Sequence, residues 1–417
     1  MTRRLVVWWD ARIVGELTQD RHGDLGFAYA AEWIADPSAP ALSASLAKRT
    51  EPFSRRECRP FFSGLLPEES QRQAVAQALG VSPANDFALL DRLGGDVAGA
   101  LQLLPPGEIP AAPSAVTPIA LDDEELVKLL DRLPVRPLLA GEAGLRLSLA
   151  GAQAKLPVVL VNGAVALPSP GQPTTHILKP PIVRFPATTE NEAFVMCLAA
   201  AIGLPVAPVE ARTAKDRPFL LVQRYDRSIS DKGTVVRLHQ EDFCQALGVP
   251  PETKYASEGG PGLKECFLFV RRVSALPAVD VLRLLDAVIF NLVVGNADAH
   301  GKNFSILYGA DGPRLAPLYD LLATTAYSDL SPKMAMKIGK RATLEEMDSR
   351  AWARFGVDAG IGVPLIRRRV GELCQRIQTS AESVAKDLSR PNFDAKALTG
   401  YAALAMARAD RCAATVG

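Results

Sequence analysis

Three polar side chains in the last third of the chain have the types and the order that phosphoryl transfer requires. Asp298 and Asn303 stand five positions apart in the run Gly295-Asn296-Ala297-Asp298-Ala299-His300-Gly301-Lys302-Asn303-Phe304, and a second acid follows at Tyr319-Asp320-Leu321. A carboxylate can accept the proton of an attacking hydroxyl. An asparagine brings a neutral oxygen to a magnesium ion bound by phosphates, and a second carboxylate gives that ion an anionic ligand. Taken singly, Asp298 and Asn303 could merely shape a polar turn, and Asp320 could cap a helix. The four features in order (acid, amide, hairpin, acid) favour the chemical reading.

The spacing of Asp298 and Asn303 matches the D-x-x-x-x-N of a kinase catalytic loop. Such an enzyme also needs a strand lysine for the α- and β-phosphates. Lys179 ends the short run His176-Ile177-Leu178-Lys179 and is held in place by Pro180-Pro181. Glu192, on a helix expected from about Thr189 to Ile202, could pair with it, or could instead form a capping box with Thr189. Ser148-Leu149-Ala150-Gly151-Ala152-Gln153-Ala154-Lys155 could cradle phosphates through its backbone N–H groups, although it has one glycine and reads as well as an ordinary turn. Phe219 to Tyr225 is an apolar strand leading into charge. It is either a hinge whose backbone meets adenine or a plain core strand.

These residues need elements to position them. Leu5 to Trp9 reads as a first strand, too short and too soon interrupted by Asp10 to be a signal-peptide core. Pro105 to Pro113 looks like a linker, and Asp123 to Leu133 is an amphipathic helix stopped by Pro134. Lys155 to Val161 and Ala164 to Leu167 flank Asn162-Gly163, a dipeptide that favours a type I′ hairpin. The apolar stretch from Val281 to Val294 is broken by Arg283 and Asp286, so it is a buried helix rather than a membrane span. Phe304 to Leu307 and Pro313 to Leu318 then form a hairpin that delivers Asp320. Beyond about residue 240 the pattern is mostly helical. The fold class expected is α+β, with mixed short strands and helices over 1–138, a β-rich nucleotide lobe over 139–238 and a helical catalytic lobe over 239–417.

Bulk properties set limits. The 417 residues suit two or three packed subdomains, and a net charge of +1 with 48% hydrophobic residues calls for neither nucleic acid nor membrane as a partner. Six scattered cysteines without a CxxC, and only four histidines, point to reduced thiols in a cytoplasmic protein rather than to a zinc site.

Several segments together resemble the HipA toxins of bacterial toxin–antitoxin systems. The carriers are Arg146 to Lys155, Thr174 to Lys179, Gln240-Glu241-Asp242-Phe243-Cys244-Gln245, Lys254-Tyr255 with Gly259-Gly260-Pro261-Gly262, the Asp298 loop and Tyr319-Asp320. The resemblance is specific over roughly residues 140 to 340 and looser at both ends. It implies a protein-kinase-like, two-lobed fold with an added N-terminal α/β subdomain, and ATP contacts at Ala150, Gly151, Ala152, Gln153, Ala154, Lys155, Lys179, Gln223, Arg224, Tyr225, His300, Gly301, Lys302, Asn303, Tyr319 and Asp320. It makes Asp298 the catalytic acid/base residue, Asn303 and Asp320 the holders of Mg2+, and Ser148 an autophosphorylated serine whose modification switches the kinase off. The family phosphorylates translation components, notably aminoacyl-tRNA synthetases, and is usually bound by a small DNA-binding antitoxin of the HipB type, so that DNA is reached only through that partner. The chain departs from ordinary protein kinases in lacking GxGxxG, in having Ala297 in place of the arginine of HRD, and in having Tyr-Asp-Leu in place of Asp-Phe-Gly. Two other readings stay open: a small-molecule kinase of the aminoglycoside or choline type, and a non-catalytic subunit that helps an antitoxin bind DNA.

Overall fold

Alternation decides the first sheet. In the strand Arg3–Trp9, Leu5 and Val7 are fully buried while Arg3 and Arg4 face solvent, the period of two that puts one face on a core. This strand pairs antiparallel with Arg12–Gln19 on one side and Leu101–Leu104 on the other, and Leu25–Tyr29 completes a four-stranded sheet. Helices Arg55–Ser63, Glu69–Leu79 and Asp86–Leu93 contribute to the same core, where Phe27, Phe61, Phe62 and Phe87 are buried. Burying each such ring is worth about 1.5–3 kcal/mol. This is the α/β subdomain expected at the N-terminus.

The computed structural model describes residues 2–111, 118–142, 144–231 and 233–416. Its contacts divide the chain into two compact units. One comprises Met1–Pro180, Gln223–Glu252 and Leu307–Gly309, the other Pro181–Val222, Thr253–Ile306 and Ala310–Gly417. The expected boundaries at 138 and 238 do not mark these units, because the chain passes between them several times. The expected linker lies partly outside the described residues, which omit 112–117.

In the first unit Leu156–Val161 and Ala164–Ala166 form the expected hairpin. Asn162 and Gly163 have φ of 51° and 83°, positive at both central positions as a type I′ turn demands. On its other edge Leu156–Val161 pairs antiparallel with His176–Lys179. A buried ionic cluster fixes the segment that follows Gln223. Arg224 bonds Asp226 at 2.7 Å and Asp96 at 3.2 Å, while Arg227 and Arg237 reach Asp96 at 2.9 Å and 3.1 Å. Burial alone would raise the Asp96 carboxyl. The guanidinium groups of Arg227, Arg224 and Arg237 and the Thr174 hydroxyl outweigh it and hold that carboxyl far below the usual carboxylate range.

In the second unit the helix Thr188–Ala201 begins without the expected capping box. Ala187 takes the N-cap position in a left-handed conformation, with φ 51°, and no side chain caps the helix. Thr188 instead accepts the Ile182 N–H at 2.8 Å. The apolar helix Pro277–Val294 ends at Gly295, whose φ of 76° makes the left-handed C-cap turn. Val363–Leu388 and Ala395–Ala414 pack on each other, and the Gln378 amide donates to Met406 O and to the Asp410 carboxylate, both at 2.7 Å. All six cysteines are free thiols, five of them buried. Among the described residues no helix is long and apolar enough to cross a membrane.

Candidate active site

The Asp298 loop is held from behind. Its entry is the Gly295 turn, and its first residues are tied to the segment that follows Asp320. Ala297 N–H donates to Thr324 Oγ1 at 2.8 Å, Thr324 Oγ1 donates to Gly295 O at 3.1 Å, and Ala335 N–H donates to Ala297 O at 2.8 Å. Asp298, so supported, is exposed. Tyr255 O–H donates to Asp298 Oδ1 at 2.9 Å, which orients the carboxylate. The Tyr255 and His300 rings meet edge to face at 5.2 Å.

Asn303 closes the loop. Its Oδ1 accepts the His300 N–H at 3.2 Å, and its Nδ2 donates to Asp320 Oδ2 at 3.2 Å. The two residues expected to hold magnesium are thus adjacent. Their donor set, a carboxylate and an amide oxygen with a second lone pair, consists of hard oxygens and fits Mg2+ rather than a thiophilic metal. Asp320 has φ 57°, a left-handed conformation costing a non-glycine residue on the order of 1–3 kcal/mol and typical of functional sites. Tyr319 anchors it: the phenol donates to Lys302 O at 2.6 Å and meets Ser305 Oγ at 2.8 Å. Gly301, Lys302 and Asn303 are buried, as is His300.

The remaining candidates belong to the other compact unit. Lys155 Nζ donates to Ala150 O at 2.8 Å, and Glu68 N–H donates to Gly151 O at 3.2 Å. Gly151 has φ 113°, and a Cβ there would stand 2.5 Å from Lys155 Nζ, so this turn requires its glycine. Ala152 and Ala154 are half-buried, and Gln153 Nε2 reaches Pro180 O at 3.4 Å. Lys179 is buried at the end of its strand. Ser148 has no exposure at all; its Oγ donates to Leu65 O at 2.7 Å and its N–H to Asp96 O at 3.0 Å. Arg146 is pinned to Leu103 O and Asp91 O rather than turned to solvent.

At Gln223 to Tyr225 one expectation changes. Arg224 was expected to contact ATP, but its guanidinium is committed to the buried Asp96–Asp226 cluster and its N–H donates to Thr175 O at 2.9 Å. Its side chain is a core ion pair. Gln223 is exposed, and Tyr225 donates its hydroxyl to Gln240. Sequence reasoning also missed the contribution of Tyr255 to the Asp298 carboxylate. The segment Lys254-Tyr255 was visible as part of the resemblance, but its contact with a residue 43 positions away was not.

The chain is similar to known proteins over most of its length. The profile of the HipA N-terminal domain matches residues 5–104, and that of the HipA-like C-terminal domain matches residues 147–384. Y4mE of Sinorhizobium fredii, which bears the name of a kinase, is 66% identical over 96% of this chain and 98% of its own length. The serine/threonine-protein kinase toxin HipA of Shewanella oneidensis is 29% identical over 96% of this chain and 93% of its own. A solved complex of HipA, HipB and operator DNA from Shewanella oneidensis superposes with a TM-score of 0.87 at 27% identity, covering 99% of this chain and 98% of that one. With both family domains present and a close relative matched almost end to end, the chain belongs to the HipA family of kinase toxins.

Proposed function

We propose that the protein is an ATP-dependent serine/threonine kinase that acts as a growth-inhibiting toxin. On this reading it phosphorylates a translation component such as an aminoacyl-tRNA synthetase, is restrained by a HipB-type DNA-binding antitoxin, and silences itself by autophosphorylation at Ser148. The observation that carries the reading is the adjacency of Asn303 and Asp320 beside a loop that presents an exposed, tyrosine-oriented Asp298.

In the reaction a serine or threonine hydroxyl oxygen bonds to the γ-phosphorus of ATP, the bond to the β–γ bridging oxygen breaks, and ADP leaves. The hydroxyl proton passes to the Asp298 carboxylate, whose other oxygen stays on the Tyr255 hydroxyl. Asn303 and Asp320 would hold Mg2+, which when bound neutralises charge on the phosphates. Lys179 and the backbone of Ala150 to Lys155 would bind the phosphate chain, and the backbone of Gln223 and Tyr225 the adenine.

The Ser148 switch draws support from burial. A phosphate brings roughly −1.5 to −2 charges, and a fully enclosed hydroxyl bonded to Leu65 O has no room for it. Phosphorylation therefore requires residues 147–155 to leave this position, and the modified loop cannot return to it. The test of the whole reading is radiolabelled ATP added to purified protein and cell lysate. Label on a discrete lysate protein and on Ser148 is expected; label on a small molecule instead would overturn it.

A further inference from the structure

Asn191 immediately precedes Glu192 on the helix Thr188–Ala201 and is completely buried. Its amide grips both main-chain groups of Ala323. Oδ1 accepts the Ala323 N–H at 2.7 Å, and Nδ2 donates to Ala323 O at 3.1 Å and to the Tyr327 hydroxyl at 3.2 Å. That hydroxyl in turn donates to Pro186 O at 3.2 Å, just before the left-handed Ala187 that starts the same helix. Ala323 lies three residues beyond Asp320, whose left-handed backbone persists only if its surroundings fix it. The next residue, Thr324, accepts from Ala297 and donates to Gly295, while Thr325 N–H also donates to Gly295 O at 3.1 Å. A path of hydrogen bonds, joined by the main chain of residues 323–325, thus runs from the helix to the backbone flanking Asp298.

We propose that Asn191 is a positioning residue for phosphoryl transfer: by holding Ala323 it sets the Asp320 carboxylate on one side and, through Thr324, the Asp298 loop on the other. The proposal rests on the kinase reading above. Its chemistry is specific to an amide. A carboxylate of the same shape could accept from Ala323 N–H but would face Ala323 O with no proton to give, so Asn191→Asp should disturb the path as much as Asn191→Ala does.

The experiment uses the full chain as wild type, Asn191→Ala, Asn191→Asp and Thr324→Val. Phosphoryl transfer from ATP is titrated with Mg2+, ATP binding in the presence of Mg2+ is followed by calorimetry, and folding is checked by thermal unfolding. Outer partners of metal ligands typically cost about 10- to 100-fold in affinity or activity. We expect a loss of that order in kcat, a Mg2+ half-saturation raised about 10-fold, weaker Mg2+-dependent ATP binding, and partial recovery of rate at high Mg2+. A merely structural role would lower the unfolding temperature and leave the Mg2+ half-saturation where it was. Folded Asn191 variants with wild-type Mg2+ dependence and kcat overturn the proposal while the kinase reading stands. Should the Asn191 variants fail to fold, Thr324→Val cuts the same path farther on, and wild-type behaviour there overturns the proposal equally. A wild-type protein that neither binds Mg-ATP nor transfers phosphate would overturn the kinase reading and this proposal with it.

Discussion

At the scale of single residues, chemistry and burial separate the candidates. Asp320 presents a carboxylate next to Asn303 and lies only partly buried, so removing it should cost function more than fold. Asp320→Ala is expected to abolish transfer and to weaken Mg-ATP binding in a calorimetric titration; unchanged Mg-ATP affinity would place the metal elsewhere. Ser148 behaves in the opposite way, being wholly enclosed. After incubation with Mg-ATP, phosphate should map to Ser148, the modified protein should bind ATP poorly, and residues 147–155 should become open to limited proteolysis. Ser148-phosphorylated protein with normal ATP affinity would sink the switch. Asp298, Asn303 and Asp320 could be singled out in the sequence as candidates, because type and spacing alone suggest a chemistry for them, and the structure sets Asn303 beside Asp320. Tyr255 and Asn191 could not: each acts through a contact with a residue far along the chain, 43 positions away for Tyr255 and 132 for Asn191. Arg224 misled for a related reason, since its partner Asp96 stands 128 positions earlier.

At the scale of elements, what was legible was local. The Asn162-Gly163 hairpin needs nothing beyond two residues at ease with positive φ, and the helix ending at Gly203 needs only that glycine. The start of the same helix was misread, because Thr189 and Glu192 have the capping-box spacing while the actual N-cap is a left-handed Ala187 held by tertiary contacts. The C-cap of the helix Pro277–Val294 gives a direct test of how elements hold the loop. Gly295 has φ +76°, and a Cβ there would lie 2.0 Å from Thr325 Oγ1 and 3.2 Å from Arg408 Nε, whose guanidinium donates to Val293 O and Leu292 O. Gly295→Ala should destabilise the protein by about 1–3 kcal/mol and lower transfer, read as a lower midpoint in urea and a lower rate. An unchanged midpoint would show that the cap is not what fixes the loop.

At the scale of the whole molecule, two neighbouring buried groups tie stability to pH in opposite directions. Burial pushes the His239 imidazole down to about 4, so it is neutral in the fold, and its contribution is lost as pH falls from the ordinary histidine range of about 6.5 toward 4. Burial pushes the Glu241 carboxyl up to about 7 against the donors Ser43, Tyr308 and Ala44, so its contribution is lost as pH rises from about 4.5 to 7. Relative to wild type, His239→Gln should therefore gain stability toward acid and Glu241→Gln toward neutrality; difference curves of the same sign would contradict this pairing. The α+β class was legible from patterning and the added N-terminal subdomain from the family resemblance, whereas the two compact units were not, because the neighbouring segments 181–222 and 223–252 fall in different units without any signal in composition. All of this architecture serves one claim, that Asp298 is the base of a kinase, and one measurement tests it most directly. Wild type and Asp298→Asn are compared for ATP binding and for transfer of label from Mg-ATP to protein. ATP binding should be retained, and the transfer rate should fall on the order of 10²- to 10⁴-fold; transfer by Asp298→Asn at close to the wild-type rate would contradict the assignment.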